Sequence, residues 1–293
     1  MRRVGLNAPF APLVEGIGDD GADAVGINFF FGVRRVFVPH ENAHWIGLTH
    51  GAAKYERAAR SACVGKPPLV PDTQFRPFAV LFDLDGTLLN TFSAVTRAWN
   101  AAMEPILGRA FEPAEVAAHF GPPDEEMLRA AFPASLATDE QNAAIERYFS
   151  EYAAAHAQIE PFPGIESLLD WLGQHKIPLG IVTGKGRRAT DLTLAHFGWT
   201  ERFGPVVTGS ETPRPKPDPE GVLRVARELG VEPKHCAFIG DSPADLGAAK
   251  NAGMFSVVAG WHDFYLDELK QLSPDLWPQS PFELQSWFET HLR

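Results

Sequence analysis

Two kinds of apolar pattern alternate along this chain, and the alternation begins near residue 77. Phe78-Ala79-Val80-Leu81-Phe82 is a continuous apolar run that ends in acidic residues and glycine. Such a run reads as a strand buried on both faces, as strands of parallel sheets are. Ile177 to Val182, ending at Thr183-Gly184, repeats the form. So do Val206-Val207 before Thr208-Gly209, Cys236 to Ile239 before Gly240-Asp241, and a fifth run, Ser256 to Ala259. Between the runs the period lengthens to that of a helix. Ile165, Leu168, Leu169 and Leu172 share one face, and Val222, Val225, Ala226 and Leu229 share another. Strands alternating with helices predict an α/β fold with a doubly wound parallel sheet. Ligands of such sheets sit beyond the carboxyl ends of the strands.

One stretch departs from this rhythm. From Thr87 to about Glu160 no strand pattern occurs. Phe92, Val95, Trp99, Met103 and Ile106 follow helical spacing, as do Ile145, Phe149, Tyr152 and His156. Pro113 and Pro123 stand where helices begin. An all-helical insertion of roughly 70 residues is predicted, with a hinge where the chain crosses near Leu88 to Asn90 and again near Pro161 to Gly164. The predicted organisation is therefore a sheet domain from 77–88 and 161–293, with an inserted helical domain at 89–160. Residues 1–76 form an N-terminal extension whose role the sequence leaves open: a small appendage, a partner-binding arm or a partly disordered segment. That extension is glycine-rich and ends in Lys66-Pro67-Pro68-Leu69-Val70-Pro71, which reads as a linker. Ile27 to Phe31 and Val33 to Val38 read as short strands around Gly32, and Ala52 to Ala62 as a short helix.

Composition narrows the class. With 293 residues and 45% hydrophobic side chains, the chain can bury a sizeable core. Its 37 acidic and 26 basic residues, a formal charge of −11, argue against nucleic-acid or anionic-membrane partners. An anionic small-molecule substrate stays open, because a metal ion and a few basic groups reverse the field locally. Cys63 and Cys236 are too few and too far apart for a disulfide framework or a zinc cluster, which fits a reducing cytoplasm. His40, His44 and His50 lack a fourth ligand at zinc spacing. No apolar run reaches the length of a membrane span. After Met1-Arg2-Arg3, the residues Asn7, Pro9 and Pro12 interrupt what would be the core of a signal peptide.

The polar residues at the strand ends carry the chemistry. Asp83 and Asp85, two apart, can converge on one site. Phosphoryl transfer to a carboxylate needs a nucleophile, a proton donor for the leaving oxygen, and neutralisation of charge. Asp241 and Asp245, in Gly240-Asp241-Ser242-Pro243-Ala244-Asp245, are placed to complete a Mg²⁺ site. Thr183 can donate to a phosphoryl oxygen, and Lys216 can offset negative charge.

In that order, with spacings of about 96, 33 and 25 residues, these motifs resemble the haloacid dehalogenase superfamily over roughly residues 78–290. The resemblance implies that Asp83 is the nucleophile and a metal ligand. It implies that Asp85 is the general acid/base and binds the metal through its carbonyl. Thr183 and the Gly184 amide would then hold the phosphoryl group, with Lys216 in Pro215-Lys216-Pro217-Asp218-Pro219 stabilising charge. Asp241 would bind Mg²⁺, and Asp245 would support the metal shell and Lys216. Members that displace halide lack the second aspartate, so Asp85 favours phosphoryl chemistry. The helical insertion resembles the superfamily's mobile cap, which goes with small soluble substrates.

The expected activity is a Mg²⁺-dependent phosphatase acting on a small phosphoglycolate-like ester through an aspartyl phosphate. The alternatives are a pyrophosphatase or a β-phosphoglucomutase-like mutase; an intact motif set speaks against a non-enzymatic binding protein. Asn90 departs from the aspartate common after the Gly-Thr-Leu run. Lys185, Arg187 and Arg188 are candidates for contact with an anionic substrate, against a solvated basic face. Arg97, Arg109 and Arg129 are candidates for a substrate carboxylate or second phosphate.

Overall fold

The computed structural model describes residues 78–262 and 266–291, together with three short strands before residue 49. The predicted signal-peptide interruption, the helix at 52–62, Cys63 and the proline-rich linker lie outside the described residues. The chain divides into two compact units, 1–64 and 65–293.

In the first unit, β1 (Ile27–Phe30), β2 (Val33–Val38) and β3 (His44–Leu48) form an antiparallel sheet in the order β1-β2-β3. Ile27 pairs with Val36, and Val36 with Ile46. The first two strands follow the sequence reading. The third was not expected, since Gly47 breaks its apolar run.

In the second unit, β4 (Ala79–Phe82), β5 (Leu179–Val182), β6 (Val206–Val207), β7 (Cys236–Gly240) and β8 (Phe255–Val258) form one parallel sheet. Its order is β6-β5-β4-β7-β8. The continuous apolar runs arise because both faces are covered. Val80 and Phe82 enter one hydrophobic cluster, whereas Ala79 and Leu81 enter another on the opposite face; Ile239 and Phe238 divide likewise. β5 starts at Leu179 rather than Ile177. The preceding Pro178 has no N–H for the ladder, but its carbonyl still accepts from Val80 N–H at 3.0 Å.

Helices α1 (Phe92–Leu107), α2 (Pro113–Ala117), α3 (Asp124–Ala131) and α4 (Thr138–Ala155) make the insertion, with no strand among them. Ala94, Val95, Ala98, Trp99, Ala102 and Met103 line the buried face of α1, mostly at i, i+3, i+4 spacing. Tyr148, Phe149 and Tyr152 of α4 answer it. Fully burying a side chain the size of Val95, Met103 or Phe149 contributes about 1.5–3 kcal/mol by apolar transfer. In the sheet domain, α5 (Ile165–Gln174), α6 (Arg187–His196), α7 (Glu220–Leu229) and α8 (Pro243–Asn251) intervene between the strands. Two terminal helices follow, α9 (Leu266–Leu269) and α10 (Pro281–His291). No helix among the described residues is long and apolar enough to cross a membrane.

The sheet order places the site. From β4 the chain winds outward through β5 to β6, then returns to the other side of β4 for β7 and β8. The order reverses between β4 and β7, and the crevice beyond their carboxyl ends is where such folds bind ligands.

Candidate active site

Asp83 directly follows β4, and its N–H donates to Ile239 O at 2.9 Å, which ties it to β7. Asp241 directly follows β7. Asp245 lies one turn into α8, where its Oδ2 accepts from Ser242 N–H at 3.0 Å and closes a capping box. The ligand oxygens of Asp83, Asp241 and Asp245 all lie within 4.8 Å of one another, and all three residues are buried. Lys216 reaches into this patch from the proline-framed loop before α7. Its Nζ donates to Asp83 Oδ1 at 2.7 Å, to Val182 O at 3.1 Å and to Asp245 Oδ1 at 2.5 Å. All three ammonium protons are thereby used.

The charge balance is negative: three carboxylates meet one ammonium. Burial raises the Asp83 pKa well above the usual carboxylate range, with Lys216 opposing and Asp245 and Asp241 reinforcing the shift. Burial raises Asp241 too, against the hydrogen bond from His262. For Lys216, burial disfavours the ammonium, but Asp245 and Asp83 outweigh it and raise its pKa. This oxygen-only donor set with unbalanced negative charge fits a hard divalent cation.

Thr183 directly follows β5; it is buried, and its Oγ1 accepts from Lys185 N–H at 3.2 Å. Gly184 is exposed beside it, and a Cβ added there would meet nothing within 4 Å.

Asp85 stands apart from the three clustered carboxylates. Its Oδ1 accepts from the Thr91 hydroxyl and its Oδ2 from Lys185 Nζ at 3.0 Å. The Asp85 carboxylate is thus engaged away from that cluster. Gly86 follows at φ +82°, turning the loop so that its N–H meets Leu89 O at 2.7 Å. A Cβ at Gly86 would lie 2.2 Å from Asp241 Oδ2. Gly86→Ala is expected to cost about 1–3 kcal/mol through strain at positive φ and to push the Asp241 carboxylate aside. Thermal unfolding and a metal titration check both halves.

Several partners were not anticipated. His262 Nδ1 lies 3.1 Å from Asp241 Oδ2, and Thr87 Oγ1 donates to Asp241 Oδ1 at 3.3 Å. Trp261 Nε1 donates to Thr87 O at 3.0 Å. The Trp261-His262 pair follows β8 at a fifth strand end, where position was the available signal. The cap arginines are engaged within the cap: Arg97 with Glu151 and Gln158, Arg109 with Glu115, and Arg129 with Asn142. Arg188 donates twice at 2.7 Å to Glu146 of α4, and Arg187 pairs with Asp191 and Glu211. Lys185 differs from these, being buried against Asp85. Of the three amino-terminal histidines, His44 opens β3, and His40 and His50 lie outside the described residues.

Comparison with known proteins gives the same direction. Residues 80–259 match the family described as haloacid dehalogenase-like hydrolase. The chain is 33% identical over 230 residues to a phosphoglycolate phosphatase of Xylella fastidiosa (strain 9a5c), covering 72% of this chain and 98% of that one. A putative pyrophosphatase of Clostridium perfringens is 28% identical over 211 residues, 70% of this chain and 94% of the relative. A crystal structure of a putative phosphoglycolate phosphatase from Lactobacillus plantarum superposes with a TM-score of 0.58 at 27% identity, over 73% of this chain and 100% of that one. A parallel sheet with a helical cap, four motifs gathered at its strand ends and matches across most of the second unit lead to one assignment: the chain belongs to the haloacid dehalogenase-like hydrolases and is a phosphatase of the phosphoglycolate-phosphatase-like kind.

Proposed function

We propose that this phosphatase hydrolyses a small phosphate monoester of the phosphoglycolate type, with Mg²⁺, through an aspartyl phosphate on Asp83. The observation that carries the reading is the buried patch in which Lys216 bridges Asp83 and Asp245 while Asp241 lies within reach of both. Asp83 and Asp241 side chains, with the Asp85 carbonyl, would hold the cation, and Asp245 would fix Lys216. When bound, Mg²⁺ neutralises charge where one anion approaches another.

The protein's own residues carry the steps. An Asp83 oxygen attacks phosphorus in line. The bond from phosphorus to the ester oxygen breaks as Asp85 passes that oxygen a proton. The Thr183 hydroxyl, the Gly184 amide and Lys216 hold the phosphoryl oxygens as charge shifts among them. Asp85, now a carboxylate, takes a proton from water, which attacks phosphorus and frees Asp83 and inorganic phosphate.

A phosphate-release screen over phosphoglycolate, pyrophosphate, sugar phosphates and nucleotides tests the substrate class. Release fastest from phosphoglycolate or another small alkyl ester is expected. The resemblance to a putative pyrophosphatase supports the second reading, and fastest release from pyrophosphate would put it in place of the first. Supplying a sugar bisphosphate and finding isomerised product instead of phosphate would point to a mutase. Chelator should abolish turnover. Mg²⁺ at 100 times its Kd should stabilise the protein by about 2.7 kcal/mol, and Asp241→Asn should remove most of that thermal shift.

A further inference from the structure

Lys185 is a buried lysine that the steps above do not use. It lies two residues past Thr183, before the first turn of α6, and its side chain is 4% exposed. Nζ donates to Asp85 Oδ2 at 3.0 Å, lies 3.8 Å from Asp124 Oδ1, and stands 4.8 Å from the centre of the Tyr152 ring. Burial disfavours its ammonium, but Asp85, with Tyr152 and Asp124 adding to it, more than compensates and the pKa is raised. The ammonium is therefore surrounded by two carboxylates and an aromatic face, an arrangement that seats it firmly rather than leaving it open to a substrate anion.

Asp124 is itself fixed. It opens α3 of the cap, where Oδ2 accepts from Gly186 N–H at 2.9 Å and Oδ1 from the Tyr148 hydroxyl at 2.7 Å. A cap carboxylate thus holds the lysine that holds Asp85.

A lysine ammonium has donors only. Lys185 therefore holds Asp85 through Oδ2, while the Thr91 hydroxyl donates to Oδ1. In the proposed step, as Asp85 gives a proton to a leaving oxygen, the negative charge it gains develops beside the ammonium, where opposite charge stabilises it.

We propose that Lys185 is a positioning residue for leaving-group protonation: it anchors the Asp85 carboxyl through Oδ2 and is kept in place by Asp124 of the cap. The proposal rests on the reading of Asp85 as general acid.

The test compares kcat/KM, which reports steps through formation of the aspartyl phosphate, on two probes. Phosphoglycolate has an alkoxide leaving group that needs a proton. 2,4-Dinitrophenyl phosphate has one that does not. Lys185→Met should lower kcat/KM on phosphoglycolate about 100-fold, the low end of a general-acid contribution, through kcat with KM little changed. On the aryl ester the loss should stay within about 5-fold, since the general acid is idle there. Asp124→Asn, whose amide can still serve Gly186 and Tyr148, should show the same selective loss at smaller size. It carries the test if the methionine variant does not fold. Equal losses on both esters, or none, in a folded variant would overturn the proposal. Asp85→Asn separates the two ideas. If it loses activity equally on both esters, Asp85 is not the acid and the underlying reading fails. If its loss is selective but that of the Lys185 and Asp124 variants is not, only the present proposal fails.

Discussion

Replacing Asp83 by Asn is expected to lower phosphate release by at least about 10³-fold on every substrate, because removing a covalent nucleophile leaves only the binding groups. The fold should survive. The side-chain carbonyl of the new asparagine can still accept from Lys216 Nζ, which now donates to Asp83 Oδ1 at 2.7 Å. The substitution also removes one of three buried carboxylates whose crowding, after burial, raises the Asp83 pKa. The melting temperature of the variant should therefore match or exceed that of the wild type. Calorimetry alongside the activity assay checks this, and a loss of activity accompanied by unfolding would leave the nucleophile assignment without support.

Lys216→Met is expected to damage stability as well as activity. Its ammonium joins Asp83, Asp245 and the Val182 carbonyl, and its removal leaves buried carboxylates without their counter-charge. Breaking a buried pair in this way costs about 3–5 kcal/mol. The loss should depend on pH, with a sign that follows from Asp83. Its folded-state pKa lies above the unfolded value, owing first to burial and despite the pull of Lys216. Without Lys216 it rises further. A raised carboxylate favours the folded state below its unfolded pKa and loses that benefit as pH rises through its folded pKa. The deficit in melting temperature relative to wild type should thus be larger at about pH 8 than at about pH 5. A deficit that is constant with pH would show that lost packing of the lysine stem, rather than charge, is responsible.

The sheet was legible in the sequence because parallel strands are covered on both faces. Ala79 to Phe82 and Cys236 to Ile239 could be written as apolar runs for that reason alone. The cap was legible because Trp99, Met103, Phe149 and Tyr152 repeat at helical period. The motif residues at the strand ends were legible because each is fixed to a terminus: Asp83 to β4, Thr183 to β5 and Asp241 to β7. The residues that seat them were less so. Asp124 reads as an ordinary acid in the first turn of a helix, following Pro122-Pro123. Its contacts with Gly186 and Lys185 join residues 62 and 61 positions apart, from the helical cap to the sheet core. Lys185 looked like one of three basic residues near a helix start; burial separates it from Arg187 and Arg188, and no local pattern encodes that. His262 and Thr87 reach Asp241 from separate loops, so only the folded chain brings them together. The short strand β3 was missed because Gly47 interrupts it.

Rapid quenching of the enzyme with excess labelled phosphate ester, followed by peptide mapping, tests the central claim most directly. One phosphoryl group per chain is expected during turnover, on the peptide that contains Asp83, and none in Asp83→Asn. Turnover by the wild type without a phosphorylated enzyme, or with the label on a different residue, would contradict it.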